Sequence, residues 1–509
     1  MSIRTANLGP LIALGVSALI AILLGVALAN PQNAQTILGL GATLGVLLIP
    51  LLMKHHQLLL VALINAPIDT FFFPGRPDLW AFVSFLSLGA SLLAWALNDR
   101  NRPQWDMRVG WPLLILLAVV IVTAQMRGGL GSKVLGSGSW GGMRYVLVMS
   151  AIVAYFAISA RSIHPAAAIR FSSVYFLSGL VSIISNLIFI AGPSFFFLFS
   201  IFSYELAFFQ FSEGTIQRYT GLAWAAAAGI NWMLLRYGIR GLTSFERFWR
   251  LPLFGALLGI GLMGGFRSTL VLLIVILAFQ FIFERLYQGR HLVGLVGVIV
   301  LTLALLIAVG DRLPLSIQRS LTFLPIEFSP IAREDARSTW EWRAEMWKVV
   351  IPEVPKYLLL GKGFSYSGTD FYLTSLAVSQ GSLAAYEDTL ISGNYHQGIL
   401  TLIIPFGLPG FLAFAWFAAA GWWLLFSNYR RGRPELKHIN TFLLSFYSAR
   451  LLFYLTLYGQ FDLDLIIFTS CVALGQAING HSYQAATDAR SEGAVVPVRR
   501  LGEAAIATG

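Results

Sequence analysis

The chain has 509 residues, of which 57% are hydrophobic and only 12% charged, with a formal net charge of +11. Soluble domains carry about 25% charged residues, so this composition excludes a water-soluble fold, and with it the nucleic-acid partner that a basic soluble protein would suggest. The single cysteine, Cys471, lies in an apolar run, so no internal disulfide forms and the redox compartment cannot be read from it.

Apolar runs of roughly 20 residues recur from end to end, each long enough to cross a hydrocarbon core of about 30 Å. They are too continuous for alternating barrel strands. The predicted fold is therefore all-α: a polytopic membrane bundle of about fourteen transmembrane helices, at 8–29, 36–53, 57–73, 79–97, 110–126, 140–160, 167–191, 219–235, 251–265, 267–283, 292–310, 398–427, 439–458 and 463–479. The run 57–73 contains Asn65 and Pro67 and reads as the weakest, a candidate re-entrant segment. Arg4, the first apolar run and Ala27-Leu28-Ala29 imitate a cleavable signal. That run exceeds the usual signal core of about 7–15 residues, so an uncleaved anchor is expected.

With the N-terminus inside, the short inside segments hold sixteen Lys or Arg, from Arg4 to Lys437, against three outside, Arg76, Arg127 and Lys133. This asymmetry places both termini in the cytoplasm, with the protein multi-pass in a membrane of the inner, cytoplasmic type. The expected organisation is transmembrane helices 1–11 over 1–310, a large partly helical periplasmic loop with amphipathic helices over 311–397, helices 12–14 over 398–479, and a disordered cytoplasmic tail over 480–509. Within the loop, STWEWRAEMWKVV (338–350) reads as a helix with Ser338 or Thr339 as N-cap, ended by Pro352 and Pro355. Its tryptophans suit a helix lying at the membrane interface.

Several residues in this frame suit chemistry. Of seven histidines only His396 falls outside; its ordinary pKa of about 6.5 suits proton transfer, whereas a bland reading makes it a cap on the following span. Arg144, Arg218, Arg267 and Arg450 lie in, or open, spans in the outer half. An arginine in hydrocarbon costs at least about 2.5–3.5 kcal/mol, and guanidinium groups match phosphate oxygens. A membrane-embedded anion is the partner they point to; the alternative is pairing with backbone carbonyls or hydroxyls. The outside carboxylates Asp370, Glu387 and Asp388 are weaker candidates for a base. No His/Cys/Asp cluster has metal-ligand spacing.

The pieces RYTG (218–221), GFRST (265–269), RAEMW (343–347) and GKGF (361–364), then His396 just before FGLPG (406–410), occur in an order and spacing that resemble the O-antigen ligase and polymerase superfamily of envelope glycosyltransferases, over about 210–430. The resemblance implies a GT-C-like fold and a metal-independent inverting transfer or polymerisation of glycan in surface or exported polysaccharide synthesis. The implied donor is an undecaprenyl-pyrophosphate-linked glycan, the acceptor a glycan or lipid-linked molecule, the surroundings membrane lipids, with no cofactor and no metal. In that reading Arg218 and Arg267 clamp the pyrophosphate with Arg343, His396 deprotonates or orients the acceptor hydroxyl, and Arg144, Arg450 and Trp347 complete the substrate-binding set. Trp340, Trp342 and Tyr366 would stack on sugars or anchor the loop at the interface. Two departures stand out: WAAAAG (224–229) where the family often has asparagines, and His396-Gln397 where it often has His-Asn. The competing class is a transporter or flippase of a lipid-linked or anionic substrate, with Arg170 and Arg450 on the path; a non-catalytic scaffold is third.

Overall fold

A computed structural model describes residues 54–71, 76–128, 141–207, 218–365 and 393–491. The chain divides into two units, 1–59 and 60–509; of the first only 54–59 are described, and they are helical. The expected spans 8–29 and 36–53 lie outside the described residues, as do Tyr366, Asp370, Glu387 and Asp388.

The described residues of the second unit are mainly helical: α1 (Leu79–Leu97), α2 (Met107–Arg127), α3 (Gly142–Ser159), α4 (Pro165–Leu177), α5 (Ile183–Ala191), α6 (Thr220–Leu242), α7 (Arg250–Leu262), α8 (Arg267–Phe283), α9 (Arg290–Val309), α10 (Leu315–Leu321), α11 (Pro330–Val350), α12 (Gly398–Arg431), α13 (Lys437–Thr456) and α14 (Phe461–Ser491). Pairing of extended chain among the described residues is limited to two isolated bridges, Ile68 with Phe202 and Asp69 with Asp78. From 79–97 onward every expected span falls on a helix. Among the described residues seven helical runs are long and apolar enough to cross a membrane; α7 and α8 are apolar but shorter. The expected span 57–73 is helical only to residue 63 and then turns, as Asn65 and Pro67 lead one to expect. This is an all-α membrane protein.

Polar side chains tie the bundle together where hydrocarbon offers no alternative partner. Tyr155 Oη donates to Gln476 Oε1 at 2.7 Å, Tyr175 Oη pairs with Ser470 Oγ at 2.8 Å, and Asn440 and Asn479 exchange two hydrogen bonds. All are buried, and they join α3, α4 and α13 to α14. The helix α14 runs on to Ser491, past the expected boundary at 480. Its Gln484-Ala485-Ala486 tract favours helix by propensity, although it has no apolar period.

Two features place the loop against the bundle. First, α11 starts at Pro330 after Ser329, eight residues before the expected start, so Ser338 and Thr339 are interior residues and not caps. Thr339 Oγ1 donates to Asp335 O at 2.8 Å, the backbone bond back one turn that lets a threonine sit inside a helix. The helix ends where expected, before Pro352.

Second, α12 is broken at Gly407, with φ 65° and ψ −168°, a combination essentially confined to glycine. Pro409 has no N–H to return to Pro405 O four residues back. That carbonyl accepts instead from Gly363 N at 2.9 Å, Ile404 O accepts from Lys362 N at 2.7 Å, and Leu408 N donates to Leu358 O at 2.6 Å. Gly361 and Gly363 both have positive φ, and a Cβ on Gly361 would collide with Pro405 O. Arg127 Nε donates to Gly361 O at 3.0 Å, and Phe364 N donates to Tyr145 Oη at 2.8 Å. GKGF and FGLPG are thus two halves of one main-chain latch between loop and bundle.

Candidate active site

Four arginines converge where α6, α8, α10 and α11 meet. Arg218, just before α6, places Nη2 3.2 Å from Asp335 Oδ2. Arg319 of α10 donates Nε to the same oxygen, Nη1 to Gly265 O, and Nη2 to Thr339 Oγ1 at 3.1 Å. Arg267, the first residue of α8, donates Nη2 to Ala336 O at 2.8 Å. Arg343, two turns along α11 from Asp335, is close enough for its charge to act on Arg267 and Arg319. Gly265 lies beside the Arg218 stem, and its φ of +69° is a conformation that favours glycine.

Arg218, Arg319 and Asp335 are almost fully buried, with side chains 8%, 4% and 8% exposed. Burial first, and the Arg319 charge second, bring the Arg218 pKa down to about 10, so it stays charged at neutral pH. Among the described residues four guanidinium groups gather near one carboxylate, three positive charges in excess. The amino end of α8 adds to them, since Phe266 offers it no side-chain cap and a helix N-terminus carries roughly half a positive charge. Oδ1 of Asp335 has no hydrogen-bond partner among the described residues. The chemistry of such a place is anion binding.

The other end of the site is His396. Its ring lies between Trp342 at 5.2 Å and Tyr458 at 5.4 Å between centroids. Arg343 stands over the Tyr458 ring at 5.6 Å, and its Nε has no hydrogen-bond partner among the described residues. The histidine adopts φ +50°, a left-handed conformation uncommon for a side-chain-bearing residue. Burial, and then the Arg343 charge, lower its pKa to about 4. It is neutral at neutral pH, and its Nδ1 has no partner among the described residues. Tyr458, pushed up to about 12 mainly by burial, stays protonated.

Neighbouring residues hold that strained backbone. Trp347 Nε1 donates to Tyr395 O at 2.9 Å, and Met346, Val350, Tyr395 and Ile404 form a buried cluster joining α11 to α12. The cap on α12 is Gln397, whose side chain accepts from Leu400 N at 2.7 Å; the capping role weighed for His396 falls to its neighbour.

The structure therefore brings Arg218, Arg267, Arg343 and His396 to one site, with Arg218 on Asp335 and Arg267 on the Ala336 carbonyl, and places the other expected arginines elsewhere. Arg144 forms a forked pair with Asp462, at 2.7 and 3.0 Å, beneath the Phe364 ring. Arg450 lies 3.8 Å from Asp464. Both carboxylates come from the first turn of α14. Trp347 supports the His396 backbone. The residues that sequence reasoning missed are Arg319, Asp335 and Tyr458. Asp335, Thr339 and Arg343 fall four residues apart on one helical face, a signal available once α11 is started at Pro330.

Residues 251–415 match the family model described as O-antigen ligase. This region is an O-antigen ligase-family domain. Among curated proteins nothing matches the chain. The O-antigen ligase domain contains Arg267, Arg319, Asp335, Arg343, His396 and both halves of the latch; Arg218 and Tyr458 enter the site from beyond its limits. O-antigen ligase-type transfer of a lipid-linked glycan is the general activity this match supports, and the resemblance read from the motif order agrees with it.

Proposed function

We propose that the protein transfers or polymerises glycan from an undecaprenyl-pyrophosphate-linked donor to an acceptor hydroxyl, on the outer face of the inner membrane, without a metal. The observation that carries this reading is the cluster of four arginines around one carboxylate, joined by one face of α11 to an unprotonated histidine. From Asp335 to Arg343 is eight residues, about 12 Å of helix at 1.5 Å per residue, room for a pyrophosphate between the two with its first sugar toward His396.

In the reaction the acceptor oxygen attacks the anomeric carbon with inversion. The bond from that carbon to the phosphate oxygen breaks, and the pyrophosphate leaves with the electron pair. Arg218, Arg267 and Arg343 meet charge that grows as the bond breaks, which is where fixed cations lower a barrier most. The acceptor proton passes to His396. A pyrophosphate beside Arg343 offsets the charge that depresses His396, so donor binding raises its basicity toward the useful range. Arg144 and Arg450, paired with α14, hold the bundle around the site in this reading, and Trp347 positions His396.

The test uses protein in lipid with a labelled undecaprenyl-pyrophosphate glycan and no nucleotide sugar or metal. Elongated or transferred glycan is expected from the wild type, abolished in His396→Ala. Arg218→Lys keeps charge but loses the planar fork, and loses on the order of 100-fold in kcat/KM. Full activity in Arg218→Lys and Arg218→Ala removes the clamp. Movement of the lipid across the bilayer without glycan transfer supports the transporter instead.

A further inference from the structure

We infer that Asp335 is a built-in counter-anion that occupies the place of the donor phosphate and sets the release of the polyprenyl pyrophosphate product. The inference rests on the function proposed above. Asp335 is the one carboxylate in contact with the arginine cluster among the described residues, and its Oδ2 is shared by Arg218 and Arg319. A buried carboxylate with one oxygen doubly bonded by guanidinium groups and the other without a partner presents the oxygens of half a phosphate.

The cluster does not depend on Asp335 alone for its shape. Arg319 is also held by Gly265 O and Thr339 Oγ1, Arg267 by Ala336 O, and the stem of Arg218 packs on Gly265. A phosphate can therefore take the Arg319 Nε and Arg218 Nη2 from Asp335 while the guanidinium groups stay where they are. Asp335 then lies beside the phosphate as a like charge.

The charges before and after reaction differ. The donor pyrophosphate is a diester with one negative charge on each phosphate. Transfer leaves a monoester, whose terminal phosphate gains up to one further charge near neutral pH. A cluster of four arginines alone binds that product more tightly than the donor and is slow to release it. The carboxylate repels the product more than the donor, because the product carries the larger charge. Asp335 is thus a positioning residue for the empty site and a release device for the full one.

The test is the affinity of the wild type and Asp335→Asn in nanodiscs for labelled polyprenyl pyrophosphate, with steady-state kinetics beside it. In Asp335→Asn the product binds roughly tenfold tighter or more, its affinity changes more than the KM for donor, and kcat falls because release slows. Asp335→Glu, which keeps the charge, restores release. A residue that only holds the fold predicts the reverse: weaker product binding with KM and kcat both impaired. Where Asp335→Asn does not fold, the charge-balanced Arg218→Gln/Asp335→Asn variant is compared with Arg218→Gln alone, and product again binds tighter when the carboxylate is absent. Unchanged or weaker product binding on removing the carboxylate overturns the inference. A wild type that binds neither donor nor product overturns the proposed function itself.

Discussion

Trp347 donates its indole N–H to the carbonyl of Tyr395, the residue directly before His396. The bond crosses from α11 to the entry of α12 and steadies the backbone next to His396, a side-chain-bearing residue with positive φ. Trp347→Phe keeps an aromatic ring in the apolar cluster and removes only the donor. One neutral hydrogen bond is worth about 1 kcal/mol, and about 1.4 kcal/mol is tenfold in rate. We expect kcat to fall roughly three- to tenfold with donor KM within about twofold. A raised KM at unchanged kcat would place Trp347 against the substrate instead.

The lowered pKa of His396 has a definite sign in the pH profile. In the free protein the ring is unprotonated above about 4, whereas an unperturbed histidine requires a pH above about 6.5. The acidic limb of kcat/KM, which reports the free enzyme, is expected near pH 4 to 5. Arg343→Gln removes the second cause of the shift and should move the limb to higher pH in whatever activity remains. A limb near 6.5 in the wild type would show the ring to be solvated and unaffected by Arg343.

Gly407 supports α12 by a backbone conformation that other residues resist, and a Cβ there would meet Leu358 O at 2.8 Å. Gly407→Ala is expected to cost about 1–3 kcal/mol from the backbone alone, seen as a lower melting temperature together with lost transfer. Leu408→Ala changes a neighbouring side chain but not the N–H that bonds Leu358 O, and should leave both nearly intact. Equal effects from the two would mean that the main-chain bonds are dispensable.

Arg144 and Asp462 are read most directly by a double-mutant cycle. Asp462 is 3% exposed and Arg144 17% exposed. Removing one partner of a buried pair strands the other, at about 3–5 kcal/mol. Arg144→Ala should therefore destabilise strongly, and Arg144→Ala/Asp462→Ala should recover much of the loss. Additive losses would mean that the two side chains act independently.

Hydropathy made the bundle legible, since each long apolar run has only one way to satisfy its backbone in a membrane. The polar exceptions at the span openings, Arg218 and Arg267, were legible for the same reason. Whether an arginine in a span waits for a ligand or already has a partner was not. Arg144, Arg218 and Arg450 look alike in sequence, and each meets a carboxylate that lies on another helix. Arg319 and Asp335 were hidden differently: in a polar stretch a buried charge has the same spelling as a solvated one. Starting α11 eight residues late removed Asp335 from the face that carries Arg343.

The latch between GKGF and FGLPG is made of main-chain atoms, so it is indifferent to most side chains around it. Its demands fall on glycine and proline, and on the lengths between them. One end of the segment 366–392 is fixed to α12 through Gly363, and the other to α11 through Tyr395. Side chains around the latch can therefore be exchanged with little effect on where Arg343 and His396 sit, whereas a Cβ at Gly361 or Gly407 would push the two halves apart.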